Sequence, residues 1–231
     1  MTAQLAFDLP HRAARGRADF FAAPSNAPAL AAIEGWRDWP GGRLVLTGPE
    51  GSGKSHLVQI WAEAAGAAIV PAGRLARAAL VALAEGGRVA IEDAHRLGGD
   101  PAAERAALHL ANLVAEGGGH LLLAGRGAPR GWGIALPDLE SRILAAPQIR
   151  LEPPDEGLVA AVVVKLLADR QIALDPDLVG WIVARMDRSL GAAGAVVQAL
   201  DAQSLARGRP IGRVLAAEVL EALAEGGAGG R

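Results

Sequence analysis

The run Arg43-Leu-Val-Leu-Thr-Gly48-Pro-Glu-Gly-Ser-Gly53-Lys54-Ser55-His-Leu constrains this chain more than any other stretch. An apolar segment of strand type enters Gly-x-x-x-x-Gly-Lys-Ser, and a helical pattern (Leu57, Val58, Ile60, Trp61) follows at once, which is the context of a P-loop. A merely Gly-rich turn would not need strand, spacing, Lys-Ser and helix to coincide. Gly48, Gly51 and Gly53 let the backbone curl so that consecutive N–H groups point at phosphates, and the positive N-terminus of the new helix adds to their pull. In this reading Lys54 reaches the β- and γ-phosphates and the Ser55 hydroxyl ligates Mg²⁺. Pro49, Glu50, Ser52 and His56 complete the nucleotide-binding loop. Such an element serves ADP and ATP alike.

Beyond the loop, strand-like runs at 43–47, 67–71, 89–92, 120–124 and 149–151 alternate with helical patterns at 54–65, 73–85, 101–116 and 138–145. This alternation predicts an α/β fold, a five-stranded parallel sheet flanked by helices, with ligands at the carboxyl ends of the strands. The run Val89-Ala-Ile-Glu92-Asp93 delivers two carboxylates at such an end. In a Walker B arrangement one carboxylate holds Mg²⁺ through water and the next orients an attacking water, which assigns Glu92 to the metal and Asp93 to the water. The alternative is a solvated acidic turn. Phe20 and Phe21 either flank a nucleotide base or pack in the core. Arg142, in Leu139-Glu-Ser-Arg, is either a solvated surface residue or an arginine able to reach a neighbour's nucleotide.

After Glu152-Pro-Pro only helical patterns remain, at 155–170, 175–186, 189–206 and 211–224. The expected organisation is an N-terminal arm (1–18), a nucleotide-binding domain (19–152), a small all-α lid domain (153–224) and a disordered Gly-rich tail (225–231). In the arm, Gln4, Leu5, Phe7 and Leu9 form either a docking peptide for another protein or a segment that frays or folds back.

Composition narrows the function. The 231 residues include no cysteine, which excludes disulfides and thiolate metal sites and fits a reducing compartment. The run at 158–167 is interrupted by Lys165 and is shorter than the roughly 20 residues of a membrane span, so no membrane partner and a cytoplasmic location are expected. A formal net charge of −2 gives no broad attraction to phosphate backbones, so independent sequence-specific DNA binding is not expected.

P-loop, acidic strand end, Ser-Arg helix and helical lid together resemble the AAA+ ATPases. Phe20-Phe21, Ser25-Asn26, Leu151-Glu-Pro-Pro-Asp155 and Asp187-Arg188-Ser189 resemble in detail the DnaA family, and within it the Hda-like regulators of replication initiation. The resemblance implies that Gln4, Leu5, Phe7 and Leu9 bind the DNA polymerase III β sliding clamp. It further implies that Arg142 acts in trans on ATP held by DnaA, and that Arg188 contacts the chain's own nucleotide. Homo-oligomerisation is compatible with such a fold. DnaA continues into a DNA-binding domain that this sequence does not include.

Three departures from the family pattern stand out. Glu92 takes the usual place of Asp, Ala124 and Gly125 occupy the region of a polar sensor, and Gly191 falls where the lid's sensing arginine is expected, with Arg188 one turn earlier. They imply weak intrinsic hydrolysis and a regulator with bound ADP or ATP. The competing readings are a self-hydrolysing AAA+ ATPase, such as a helicase loader or transposition helper, and an adaptor whose nucleotide fold is only scaffold.

Overall fold

Each of the first four strands is followed by helical structure that carries the chain back to the start of the next, so all five strands run parallel. The computed structural model describes residues 16–228; Gln4, Leu5, Phe7 and Leu9 of the arm lie outside them. The strands are β1 (Arg43–Thr47), β2 (Ala68–Pro71), β3 (Arg88–Glu92), β4 (His120–Gly125) and β5 (Gln148–Arg150), in the spatial order β2-β3-β4-β1-β5. The P-loop strand β1 is therefore internal, with β4 on one side and β5 on the other, and Thr47 lies level with Gly125 and Arg150.

Side chains along the inner strands alternate between the two faces of the sheet and set up two cores. Val45, Val89, Ile91, Leu121 and Leu123 face a layer made by α3 (Ala72–Leu75), α4 (Leu80–Glu85), α5 (Pro101–Glu116) and α6 (Pro137–Ala145). Leu44, Leu46, Ala90, Leu122 and Ala124 face α1 (Ala27–Glu34), α2 (Lys54–Ala65) and a tryptophan cluster in which Trp39 stacks on Trp61 at 5.2 Å between centroids. Covered on both faces, these strands have no polar side, which is why they read as continuous apolar runs.

The sequence pattern predicts one helix over 73–85, whereas the chain forms α3 and α4 with a turn between them. Leu75 and Leu80 both pack on the same core, yet five residues on one continuous helix would set them about 140° apart. The turn, with Arg77 N–H donating to Arg74 O and Ala78 N–H to Leu75 O, brings both into phase. The last strand begins one residue earlier than expected, and Leu151 still donates to Thr47 O at 2.7 Å.

The second layer of the molecule is helical throughout: α7 (Glu156–Ala168), α8 (Pro176–Val183), α9 (Leu190–Arg207) and α10 (Arg213–Ala228). Asp155, Asp175 and Ser189 cap the first three through their side chains. Helix α10 continues to Ala228, past the residue at which its apolar spacing ends and over positions read from sequence as tail.

One buried charge fixes the inner layer. Glu104, 2% exposed in the first turn of α5, accepts hydrogen bonds from Ala135 N–H (3.0 Å) and Leu136 N–H (2.7 Å), the backbone just ahead of α6. Charge-assisted bonds to otherwise orphaned N–H groups are costly to lose. Glu104→Ala is expected to lower stability by about 3 kcal/mol, read as a shift of the urea midpoint. A loss below roughly 0.5 kcal/mol would mean that the α6 entry does not depend on this carboxylate.

Candidate functional site

At the carboxyl end of β1 the chain leaves the sheet as the loop 48–53 and enters α2 at Lys54. Gly51 and Gly53 adopt φ of +67° and +104°, the left-handed region that disfavours side chains. A Cβ on Gly51 would lie 2.7 Å from Ser189 Cβ, so this glycine also lets the lid come close. The contact is a bonded one: Leu190 N–H, in the first turn of α9, donates to Gly51 O at 2.8 Å. Phosphate loop and lid thus meet backbone to backbone.

Around this seam lies a cavity of about 590 Å³, within the range of small-molecule sites. Lys54, Ser55 and His56 line one wall, Asp93 and Arg126 the strand ends, Phe20, Phe21 and Asn26 the entry segment, and Leu158, Val162 and Leu166 of α7 the lid side. Phe20 is buried and sets its ring edge-on to His56 at 5.2 Å, while Phe21 is partly open to the cavity. Both phenylalanines thus reach the cavity wall, and Phe20 packs in the core as well.

The phosphate end is cationic. Lys54 Nζ donates to Gly48 O (2.9 Å) and Pro49 O (2.5 Å), carbonyls of its own loop. Burial, and then the neighbouring Arg126, hold its pKa below the ordinary 10.5, against the opposing pull of Asp93 and Glu50. An anion bound here would relieve both effects, and curled glycines, helix N-terminus and Lys54 fit a polyphosphate. Among the described residues no group of three or more His, Asp or Glu is arranged to hold a metal. A Mg²⁺ at Ser55 would take most of its ligands from phosphate and water, as this ion commonly does.

Of the residues singled out from sequence, the structure brings Glu50, Gly51, Gly53, Lys54, Ser55, His56 and Asp93 to the cavity. Gly48, Pro49 and Ser52 shape the loop behind it, where Ser52 Oγ donates to Pro49 O at 2.9 Å. Glu92 ends β3 level with Pro71 and stays outside the cavity wall, whereas Asp93, in the left-handed region at φ 52°, turns into it. Arg188 is not brought to the cavity; it is exposed on the lid surface, 3.8 Å from Glu156. Arg142 lies in the last turn of α6, also outside the cavity, and its side chain makes no hydrogen bond or ion pair with the described residues.

Sequence reasoning missed three participants. Arg126, the residue after β4, forms a two-pronged ion pair with Glu50 of the loop at 2.6 and 2.9 Å. Asp19 and Lys165 bridge the entry segment to α7 at 2.8 Å, and Lys165 also holds Asp169 at 2.7 Å. The interruption of the apolar run at 158–167 by Lys165 was the one signal available.

These elements define a class: the chain has the AAA+ P-loop fold, a five-stranded parallel sheet with flanking helices and a helical lid. Among solved structures it is similar to domain III of the replication initiation protein DnaA from Thermotoga maritima, with TM-score 0.75, 19% identity, and 90% of this chain and 95% of that one covered. It is also similar to AMPPCP-bound DnaA from Aquifex aeolicus, with TM-score 0.62, 17% identity and coverage of 78% and 62%. The RuvB Holliday junction branch migration motor of Thermotoga maritima is a further neighbour, with TM-score 0.66, 17% identity and coverage of 90% and 72%. No protein-family model and no curated protein sequence matches the chain. At these identities the likeness shows the fold.

The Asp19–Lys165 bridge gives the site a pH dependence. The hydrogen bond from Lys165 holds the Asp19 carboxyl below its ordinary 3.8, and Asp169 and Asp19 raise Lys165. A carboxyl depressed by folding contributes stability above its unfolded pKa and loses it as pH falls through the folded value. The difference in melting temperature between wild type and Asp19→Asn is therefore expected to be full near neutrality and to close below about pH 4. A difference that persists unchanged at pH 3 would show that the bridge is not its source.

Proposed function

We propose that this chain is a nucleotide-binding regulator of DNA replication initiation, of the Hda-like kind within the DnaA family. In this reading it binds ADP or ATP with Mg²⁺, docks on the DNA polymerase III β sliding clamp through Gln4, Leu5, Phe7 and Leu9, and stimulates ATP hydrolysis by DnaA. The observation that carries the reading is the position of Arg142, an unengaged guanidinium on α6 outside the chain's own cavity, beside a loop and lid suited to hold a nucleotide. The DnaA-like fold and the AMPPCP bound by the Aquifex aeolicus protein support the choice of family and ligand.

The chemistry divides between two molecules. Lys54, Ser55 and the loop N–H groups hold the chain's own nucleotide, which sets the lid. Arg142 meets ATP on DnaA and stabilises the charge that develops on the transferred phosphoryl group, a role worth on the order of 10³–10⁵ in rate. A clamp-bound arm raises the local concentration of the pair. Asp93 on the cavity wall favours a second reading, a self-hydrolysing AAA+ ATPase in which Asp93 orients the attacking water.

Purified β clamp is expected to retain the wild-type chain and to release a Gln4→Ala, Leu5→Ala, Phe7→Ala triple variant. With clamp and DnaA-ATP present, Arg142→Ala is expected to cut DnaA's ATP turnover by on the order of 10³. Vigorous ATP turnover by this chain alone, unchanged by Arg142→Ala, would select the self-hydrolysing ATPase instead. No clamp retention at low salt would remove the regulatory reading.

A further inference from the structure

The helical layer has an apolar core of its own. The buried clusters that pack on the sheet end at Leu151, those of the lid begin at Val159, and among the described residues no buried cluster joins the two. What crosses between them is polar: the Leu190–Gly51 bond at the phosphate loop and the Asp19–Lys165 ion pair at the entry segment. We propose that Asp19 and Lys165 form a clasp that holds α7 against the cavity, and that this clasp governs how long a nucleotide stays bound. The inference rests on the nucleotide-binding reading of the cavity and deepens it.

One side of the clasp is a fixed post. Phe20 is buried in the core beside α2 with its ring on His56. The Asn26 side chain, also buried, donates to Phe21 O and accepts from Ala23 N–H, both at 2.8 Å. Asp19 stands immediately before this braced stretch and closes a single turn of helix, Arg17–Asp19.

The other side belongs to the lid. Val159, Val163 and Leu167 bury one face of α7 in the lid core, while Leu158, Val162 and Leu166 turn the adjoining face to the cavity. Lys165 lines the same cavity, as does Asp19 across from it. With no shared apolar core behind it, α7 is held to the entry segment by charge, and a swing of the helix opens the cavity and the ion pair in one motion.

Lys165 is also shared, and the sharing sets the strength of the clasp. Its Nζ lies 2.8 Å from Asp19 and 2.7 Å from Asp169, one turn along the same helix. Asp169 keeps the ammonium paired when the clasp is open, so opening strands no cation. It also brings a second carboxylate to the ammonium that Asp19 uses, and the two like charges repel. Asp169 therefore makes the clasp easier to open. Asp19 and Lys165 are positioning residues in this scheme, acting on the nucleotide through α7.

The test is displacement of N-methylanthraniloyl-ADP from the purified chain by excess ADP, followed by stopped-flow fluorescence. Asp19→Asn and Lys165→Met are each expected to raise the dissociation rate by about threefold or more, and the double variant no further than either alone, because one interaction is lost in all three. Asp169→Asn is expected to lower the rate by about twofold, a gain in retention that a damaged lid cannot imitate. Thermal melts establish that each variant is folded. Unchanged rates in folded Asp19→Asn and Lys165→Met, additive effects in the double variant, or an unchanged or faster rate in Asp169→Asn would overturn the proposal while leaving nucleotide binding intact. Failure of wild type to bind the probe would overturn the nucleotide-binding reading and this inference with it.

Discussion

The hydrogen bond from Leu190 N–H to Gly51 O is the contact on which the site depends. It joins the phosphate loop, which belongs to the sheet, to the first turn of the lid helix α9, and it needs a loop residue without a side chain, since a Cβ on Gly51 would lie 2.7 Å from Ser189 Cβ. Gly191, next along α9, faces the same seam, with Gly51 Cα 3.6 Å from the place a Cβ would take.

Electrostatics complete what packing begins. Two cations, Lys54 and Arg126, face the phosphate end, each engaged by a weak internal substitute: backbone carbonyls for one, the Glu50 carboxylate for the other. His95 stands close by with its Nδ1 buried and unpartnered, and burial lowers its pKa against the pull of Asp93, which keeps a further positive charge out of the site. Both cations lining the cavity are thus engaged by internal partners.

Much of this was legible in the sequence, for identifiable reasons. β1, α2 and α5 were read to the residue because each pairs a strong apolar period with a sharp boundary: the P-loop glycines, Gly66 after α2, and Asp100-Pro101 before α5. Glu104 escaped notice because a lone glutamate near a helix start ordinarily reads as solvated, and only the tertiary fold brings Ala135 and Leu136 to it. Arg188 was placed at the nucleotide by one helical turn of spacing, yet it precedes the Ser189 cap, where the backbone is extended and the side chain turns away to Glu156. Arg126 and Glu50 are separated by 76 residues, so no local pattern could pair them.

The Asp19–Lys165 bridge has a consequence beyond stability. Asp19 follows directly on the segment that leads back to the N-terminal arm, and Lys165 sits on the same helix, α7, that walls the cavity. The ion pair thus ties the entry segment to the helix on the lid side of the cavity. A movement of α7 that parted Lys165 from Asp19 would release the entry segment from the lid side of the cavity.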